Sequence, residues 1–256
     1  MKPLLGIVAS GISGHLSVPP PVAGFSLWLD GKDNGAFTFS SGSVVSSWLD
    51  KSGNSYNFSQ ATVAKQPTRG VTGLVSFDGA NDTLAAATRF MDNMHNGGSN
   101  TFFMVFNPTS NGGFLIDDGA AGSAETGFGF LNTSSSNFGI FVCRGVGGSL
   151  AVSSSNNARQ ANTVTQLATV RLDADNGTAA NRAYFYSNTG AASQTNALTN
   201  TPSASTSTNL PALGSDGSGA GNFYSGSIGE IVWYPSDLST INREAVRDFL
   251  IAKWSI

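Results

Sequence analysis

The sequence predicts an all-β antiparallel sandwich closed by one C-terminal α-helix, and three observations predict it. Turn signals rich in Gly, Asn and Asp recur about every ten residues between short alternating apolar runs. The 256 residues are 40% hydrophobic and 10% aromatic, enough for the packed core of one large β domain. The stretch "GSIGEIVWYPSDLSTINREAVRDFLIAKW", residues 226–254, reads as a strand, a turn and one amphipathic helix.

Along the chain, "MKPLLGIVASGISG" is too interrupted by Pro3, Gly6, Ser10 and Gly11 to form a regular element. Residues 1–16 read as an extended N-terminal arm whose Leu4, Leu5, Ile7, Val8 and Ile12 bury apolar area on a neighbouring subunit. A secretory signal is the alternative. "SVPPPVAG" then favours a stiff extended spacer. The domain division is therefore 1–24, arm and spacer, and 25–256, sandwich with helix.

"FSLWLDGKDNG" is a strand, with Phe25, Leu27 and Leu29 on one face, running into a turn that tolerates positive φ. "VVSSWLDKSGN" and "GLVSFDGANDTLAA" repeat that form. "NTFFMVFNP" is apolar at nearly every position, as a central strand buried on both faces requires. "GFGFLN" and "NFGIFVCRG" read as paired strands, and "LATVRL" and "RAYFYS" as hairpin arms around "DADNGTAAN". "LTNTPSASTSTN" has no apolar period and reads as a surface connector. "FYSGSIGEIVWY" is the last strand.

In the helix, Ser239 is placed to N-cap a first turn of Thr240, Ile241 and Asn242. Leu238, Ile241, Ala245, Phe249 and Leu250 are expected on the buried face, and Arg243, Glu244, Arg247 and Asp248 in water. A helix of this length is marginal alone and needs to dock on the sheets. Trp28, Trp48 and Trp233 fall in strand patterns and read as core, while Trp254 closes the helix dock.

Charged residues make up 11% of the chain and the formal net charge is −3, so the surface relies on Ser, Thr, Asn, Gln and Gly. No basic footprint for nucleic acid exists, and no stretch nears the ~20 apolar residues of a membrane span. The single cysteine, Cys143, excludes an intramolecular disulfide and reads as a small core residue. Its isolation fits cytosolic synthesis.

Glycoside hydrolysis needs two carboxylates at a defined separation. Glu125, Glu230 and Glu244 are far apart in sequence, and the strand after Glu230 carries Val232 and Tyr234, so no catalytic residue is expected. His15 and His95 are too few for a structural zinc site. Calcium takes oxygen ligands from turns. "DGKDNG" (Asp30, Asp33, Asn34), "DGAND" (Asp78, Asn81, Asp82), "IDDG" (Asp117, Asp118) and "DADNG" (Asp173, Asp175, Asn176) are partial shells. The simpler reading is that these side chains cap their own turns. No metal or cofactor is therefore assigned, with calcium left open. No nucleotide-binding motif and no Ser-His-Asp motif is present. Phe138 and Phe223, beside Ser/Asn/Gly loops, are the candidate glycan-contact aromatics.

The closing block resembles that of concanavalin A-like lectin/glucanase domains of the laminin G-like kind, whose pattern is a strand G-x-I-x-E-I, a short turn and a helix ending Lys-Trp. Here Phe249-Leu250 and Lys253-Trp254 match that ending. "VSFDGANDTL" and the hairpin "LATVRLDADNG…RAYFYSNTG" resemble earlier parts of the same domain, so the likeness covers about residues 25–256. It implies a concanavalin A-like jelly roll. The opening "MKPLLGIVASGISGHL" resembles leaders of small structural proteins of tailed bacteriophages. Together these imply a non-enzymatic virion protein, in capsid decoration, a head fibre or a tail fibre, assembled in the host cytoplasm. Its partners would be other virion proteins, further copies of itself in a homo-oligomer, and host surface polysaccharide. A free or secreted carbohydrate-binding lectin is the alternative, and a glycoside hydrolase a third.

Overall fold

The computed structural model describes residues 18–95, 98–119, 127–132, 138–143, 151–154, 162–186, 188, 192–193, 198 and 207–256. In chain order the strands are β1 Leu27–Asp30, β2 Phe37–Ser41, β3 Val44–Trp48, β4 Phe58–Ser59, β5 Thr68–Arg69, β6 Val75–Asp78, β7 Leu84–Ala86, β8 Ser99–Pro108 and β9 Phe114–Asp117. There follow β10 Gly127–Asn132, β11 Phe138–Cys143, β12 Ala151–Ser154, β13 Gln166–Asp173, β14 Ala183–Tyr186, β15 Ala192–Ser193, β16 Ala212–Leu213 and β17 Ser225–Tyr234, and then helix α1, Thr240–Trp254.

The strands form two facing layers, with every described pairing antiparallel. One layer runs β15-β14-β13-β8-β17, and the far edge of β17 is shared by β6 and β1. The other runs β2-β3-β4-β7-β16-β9-β10-β11-β12. Strand β5 pairs with both β6 and β3, so the hydrogen bonding continues around one edge from layer to layer. The expected hairpin β13–β14 and the pair β10–β11 are both present.

Strand β8 shows why the layers hold. Phe102, Phe103, Met104, Val105 and Phe106 are all buried, as the unbroken apolar run predicts. Phe102, Met104 and Phe106 point between the layers and meet Val45, Trp48, Phe58, Leu84, Phe128, Phe130 and Leu213. Phe103 and Val105 point outward, where Trp28, Leu167, Val232 and Tyr234 join Val246, Leu250 and Trp254 of α1 in a second core. Each large side chain so buried contributes on the order of 1.5–3 kcal/mol. Among the described residues no helix is long and apolar enough to cross a membrane.

Helix α1 begins as expected, with Ser239 Oγ accepting from Asn242 N. Its buried face differs from the expected one. Leu238 and Leu250 are buried and Trp254 closes the dock, as expected, but Ile241 is 76% exposed, Ala245 is exposed and Val246 is buried in their place. Phe249 is only partly covered, and Arg243 stacks over the Tyr186 ring at 4.4 Å instead of facing water. Both apolar series repeat at helical spacing. The choice between them is made at the ends, where Leu238 N donates to Thr101 Oγ1 and Trp254 bonds to the sheet. Phe25 also departs from the expected face. The strand starts only at Leu27, so Phe25 packs edge-on to Trp28 and Tyr234 on the helix side.

Candidate functional site

Two polar constellations stand out, and only one is open to a ligand. The closed one lies where β1, β17 and the last turn of α1 meet. Glu230, fully buried, accepts from Trp28 Nε1 at 2.9 Å, Trp254 Nε1 at 2.6 Å and Lys253 Nζ at 2.9 Å. Burial pushes its carboxyl up, and the adjacent Lys253 charge pulls it back. Lys253 also pairs with buried Asp30 at 2.8 Å. Lys32 Nζ caps the helix by donating to Lys253 O at 2.6 Å. The alternate positions Glu230, Val232 and Tyr234 thus face the helix and not an open groove. Glu244 is exposed on the helix, and Glu125 lies outside the described residues, so no glutamate pair is brought together among the described residues.

The open constellation is a depression of ≈ 440 Å³ on the outer face of the layer opposite the helix. Its floor is made by Ala85 of β7 and Ala212 of β16, which are direct cross-strand partners. Their neighbours Leu84 and Leu213 turn inward to the core, so the short alanine side chains alone define the floor. One wall is Gln60, Thr62 and Lys65, from the end of β4 and the turn after it. Thr208, Asn209 and Leu210 form a second wall, and Gly217, Ser218 and Gly219 a third. Thr83 adds a hydroxyl, hydrogen-bonded to Ser215 Oγ at 2.7 Å.

The third wall is held from below. Asp117 Oδ2 accepts from Gly217 N at 2.8 Å, and Asp216 Oδ1 accepts from Ser218 Oγ at 2.5 Å. Gly217 is required there, because a Cβ would sit 2.8 Å from the Asp118 backbone carbon. Burial pushes Asp117 well above the ordinary carboxylate range. Burial, with Asp92 nearby, raises Asp118 to about 7. Asp118 Oδ1 accepts from Phe128 N at 2.7 Å, while its Oδ2 is buried without a hydrogen-bond partner.

Asp33 and Asp78 cap their own turns as the simpler reading expects, whereas Asp30, Asp117 and Asp118 also reach Lys253, Gly217 and Phe128. Asp33 accepts from Gly35 N, and Asp78 Oδ1 from the backbone N–H groups of Ala80, Asn81 and Asp82. Asn176 Nδ2 donates to Asp173 Oδ2 at 2.8 Å. Among the described residues no three His, Cys, Asp or Glu side chains gather as a metal site would need.

Of the expected site residues, Phe223 is half-buried beside Gly113 and does not line the depression. The side chains of Phe138 and Cys143 lie outside the described residues, as do Leu4, Leu5, Ile7, Val8 and Ile12. The lining residues come from three separated segments, and only "AKQ" and "GSDGSGAG" carried a local cue, a lone cation and a glycine-rich loop.

No family model matches the sequence, and no curated protein does. Among solved structures, the chain is similar to the binding domain of botulinum neurotoxin DC in complex with SialylT. That match has a TM-score of 0.55 and 13% identity, over 89% of this chain and 52% of that one. It is similar to NanB plus Optactamide at a TM-score of 0.50 and 15% identity, over 66% of this chain and 26% of that one. A CBM40 of Ruminococcus gnavus IT-sialidase bound to alpha2,3 sialyllactose matches at a TM-score of 0.46 and 17% identity, over 59% and 83%. The chain therefore spans about half of the neurotoxin domain and about a quarter of NanB. At these identities the likeness is one of fold alone, an antiparallel β-sandwich.

Proposed function

We propose that the chain is a non-enzymatic glycan-binding module whose sugar site is the depression over Ala85 and Ala212. The observation that carries this reading is the composition of an open ≈ 440 Å³ hollow. Apart from the Lys65 ammonium, its polar lining consists of hydroxyl, amide and backbone groups, which donate and accept alike and so match a saccharide's hydroxyls. Leu210, 39% exposed at the rim, offers apolar surface to a sugar's C–H face. The shared fold with a binding domain in complex with SialylT supports the same reading.

Binding is expected to persist in a chelator, because the turn carboxylates Asp33 and Asp78 already satisfy their own backbones. The test is a glycan array with the full chain and with Ala85→Trp, which fills the floor from the outer face. Binding by the parent and loss in the variant, at unchanged melting temperature, is expected. No glycan bound by the parent, or equal binding by both, would overturn the proposal. Release of reducing sugar from a bound glycan would refute the non-enzymatic part.

The apolar leader favours a second reading for the context of that module: a component of a phage particle that displays it towards host polysaccharide. Deleting residues 2–16 is then expected to abolish incorporation into particles and leave the sandwich folded. Particles that still carry the truncated chain would refute it.

A further inference from the structure

The chemistry of the depression is more specific than its hydroxyls suggest. Among the described residues, Lys65 is its single charged lining residue and no Asp or Glu lines it, although acids outnumber bases along the chain. The Lys65 backbone is pinned on both sides, its N–H donating to Thr62 O at 2.9 Å and its carbonyl accepting from Thr83 N at 3.0 Å. The side chain is exposed and makes no ion pair among the described residues. Across the hollow, Asn209 Nδ2 is a donor buried without a hydrogen-bond partner.

The carboxylates next in sequence or beneath the lining residues are engaged in hydrogen bonds of their own. Asp216 is occupied by Ser218 Oγ, Ala220 N and Asn222 Nδ2. Asp82 Oδ2 accepts from Asp78 N at 3.0 Å, and burial beside the Asp78 charge raises its carboxyl to about 6. Asp117 is buried beneath Gly217. An ammonium on a fixed backbone, in a hollow cleared of opposing charge, attracts an anion that stays partly hydrated. One ammonium balances one negative charge, which fits a carboxylate better than a phosphate dianion.

Resting on the glycan reading above, we infer that the depression selects saccharides with a carboxylate-bearing sugar residue, and that Lys65 meets the carboxylate. Sialic acids and uronic acids both carry that group. Matched pairs tell them apart: sialyllactose against lactose, and cellobiouronic acid against cellobiose, each titrated into the full chain by calorimetry. In at least one pair the acidic member is expected to bind about tenfold tighter, a difference of ~1.4 kcal/mol. Lys65→Met should erase that difference by weakening the acidic member about tenfold, at an unchanged melting temperature. Raising salt from about 50 to about 500 mM should weaken only the acidic member. The pair that responds names the sugar class.

Equal affinity for acidic and neutral members, or an acidic preference that survives Lys65→Met, overturns this inference and leaves neutral glycan binding standing. Failure of every saccharide to bind overturns both readings together.

Discussion

Trp254 Nε1 donates to Glu230 Oε2 at 2.6 Å, tying the last turn of the helix to the middle of β17. The same carboxylate serves Trp28 and Lys253. A fully buried charge of this kind is tolerated because each oxygen has donors and a cation lies beside it. Gly229 makes room for it, since a Cβ there would lie 2.8 Å from the Trp254 ring. The G-x-I-x-E-I strand and the Lys-Trp helix ending are thus two halves of one clamp, and their sequence pattern reports folding and not catalysis.

Removing the acceptor should therefore be costly. Glu230→Ala leaves two indole N–H groups and an ammonium without their carboxylate, and a loss of about 3–5 kcal/mol is expected. Urea unfolding followed by Trp fluorescence measures it. A loss under about 1 kcal/mol would show that the clamp is incidental.

The expected and the observed face of the helix share Leu250 and differ at Ile241. Leu250→Ala opens a cavity under the helix and is expected to cost about 2–5 kcal/mol. Ile241→Ser changes an exposed side chain and is expected to stay within about 0.5 kcal/mol of the parent. Thermal unfolding measures both, and it is Ile241→Ser that separates the observed docking from the one that periodicity alone suggests.

Acid groups under the depression set a pH dependence. The carboxyl of Asp118 titrates near 7 in the folded chain against 3.8 as its ordinary value. The folded state therefore holds a proton that the unfolded state has already lost between about pH 4 and pH 7, and stability falls as pH rises through that window. Asp82, raised to about 6, acts in the same direction. Asp118→Asn keeps an acceptor for Phe128 N and removes the titration. It should match the parent near pH 4 and gain on the order of 1 kcal/mol or more by pH 8. Melting temperatures across that range provide the check, and parallel curves would refute the assignment.

Asp216 organises the loop that forms the third wall. Asp216→Ala removes the acceptor for Ser218 Oγ, Ala220 N and Asn222 Nδ2. A stability loss of about 1–2 kcal/mol is expected, with glycan affinity falling severalfold because the wall loses its shape. Affinity unchanged at reduced stability would place the ligand elsewhere.

Strands and turns were legible because their cues are local. The run from Phe102 to Phe106 announces a strand covered on both sides, and Asp78 announces its own turn. Ser239 likewise marks the helix start. The face of that helix is legible only in part: Leu238 and Leu250 are buried as their spacing suggests, but Ile241, Ala245 and Phe249 repeat at helical spacing as well as Val246 and Trp254 do. A bond to Glu230, distant in sequence, decides between them. The depression was still less legible. Ala85 and Ala212 become a floor only when β7 and β16 pair, and neither alanine carries a signal alone. Phe223, one of the aromatic residues expected beside polar loops, is half-buried and does not line the hollow, whose polar walls come from Gln60, Thr208 and Ser218.

The sandwich has a back and a front. Helix α1 covers one side, and there Val22 packs against the second core while Tyr234 Oη donates to Val22 O at 2.8 Å. The hollow lies on the other side, beyond the full thickness of both layers. A scaffold gripping the molecule through residues 18–24 would hold it by the back, so that many copies side by side would all present Lys65 outward, turning weak single contacts into one multivalent surface.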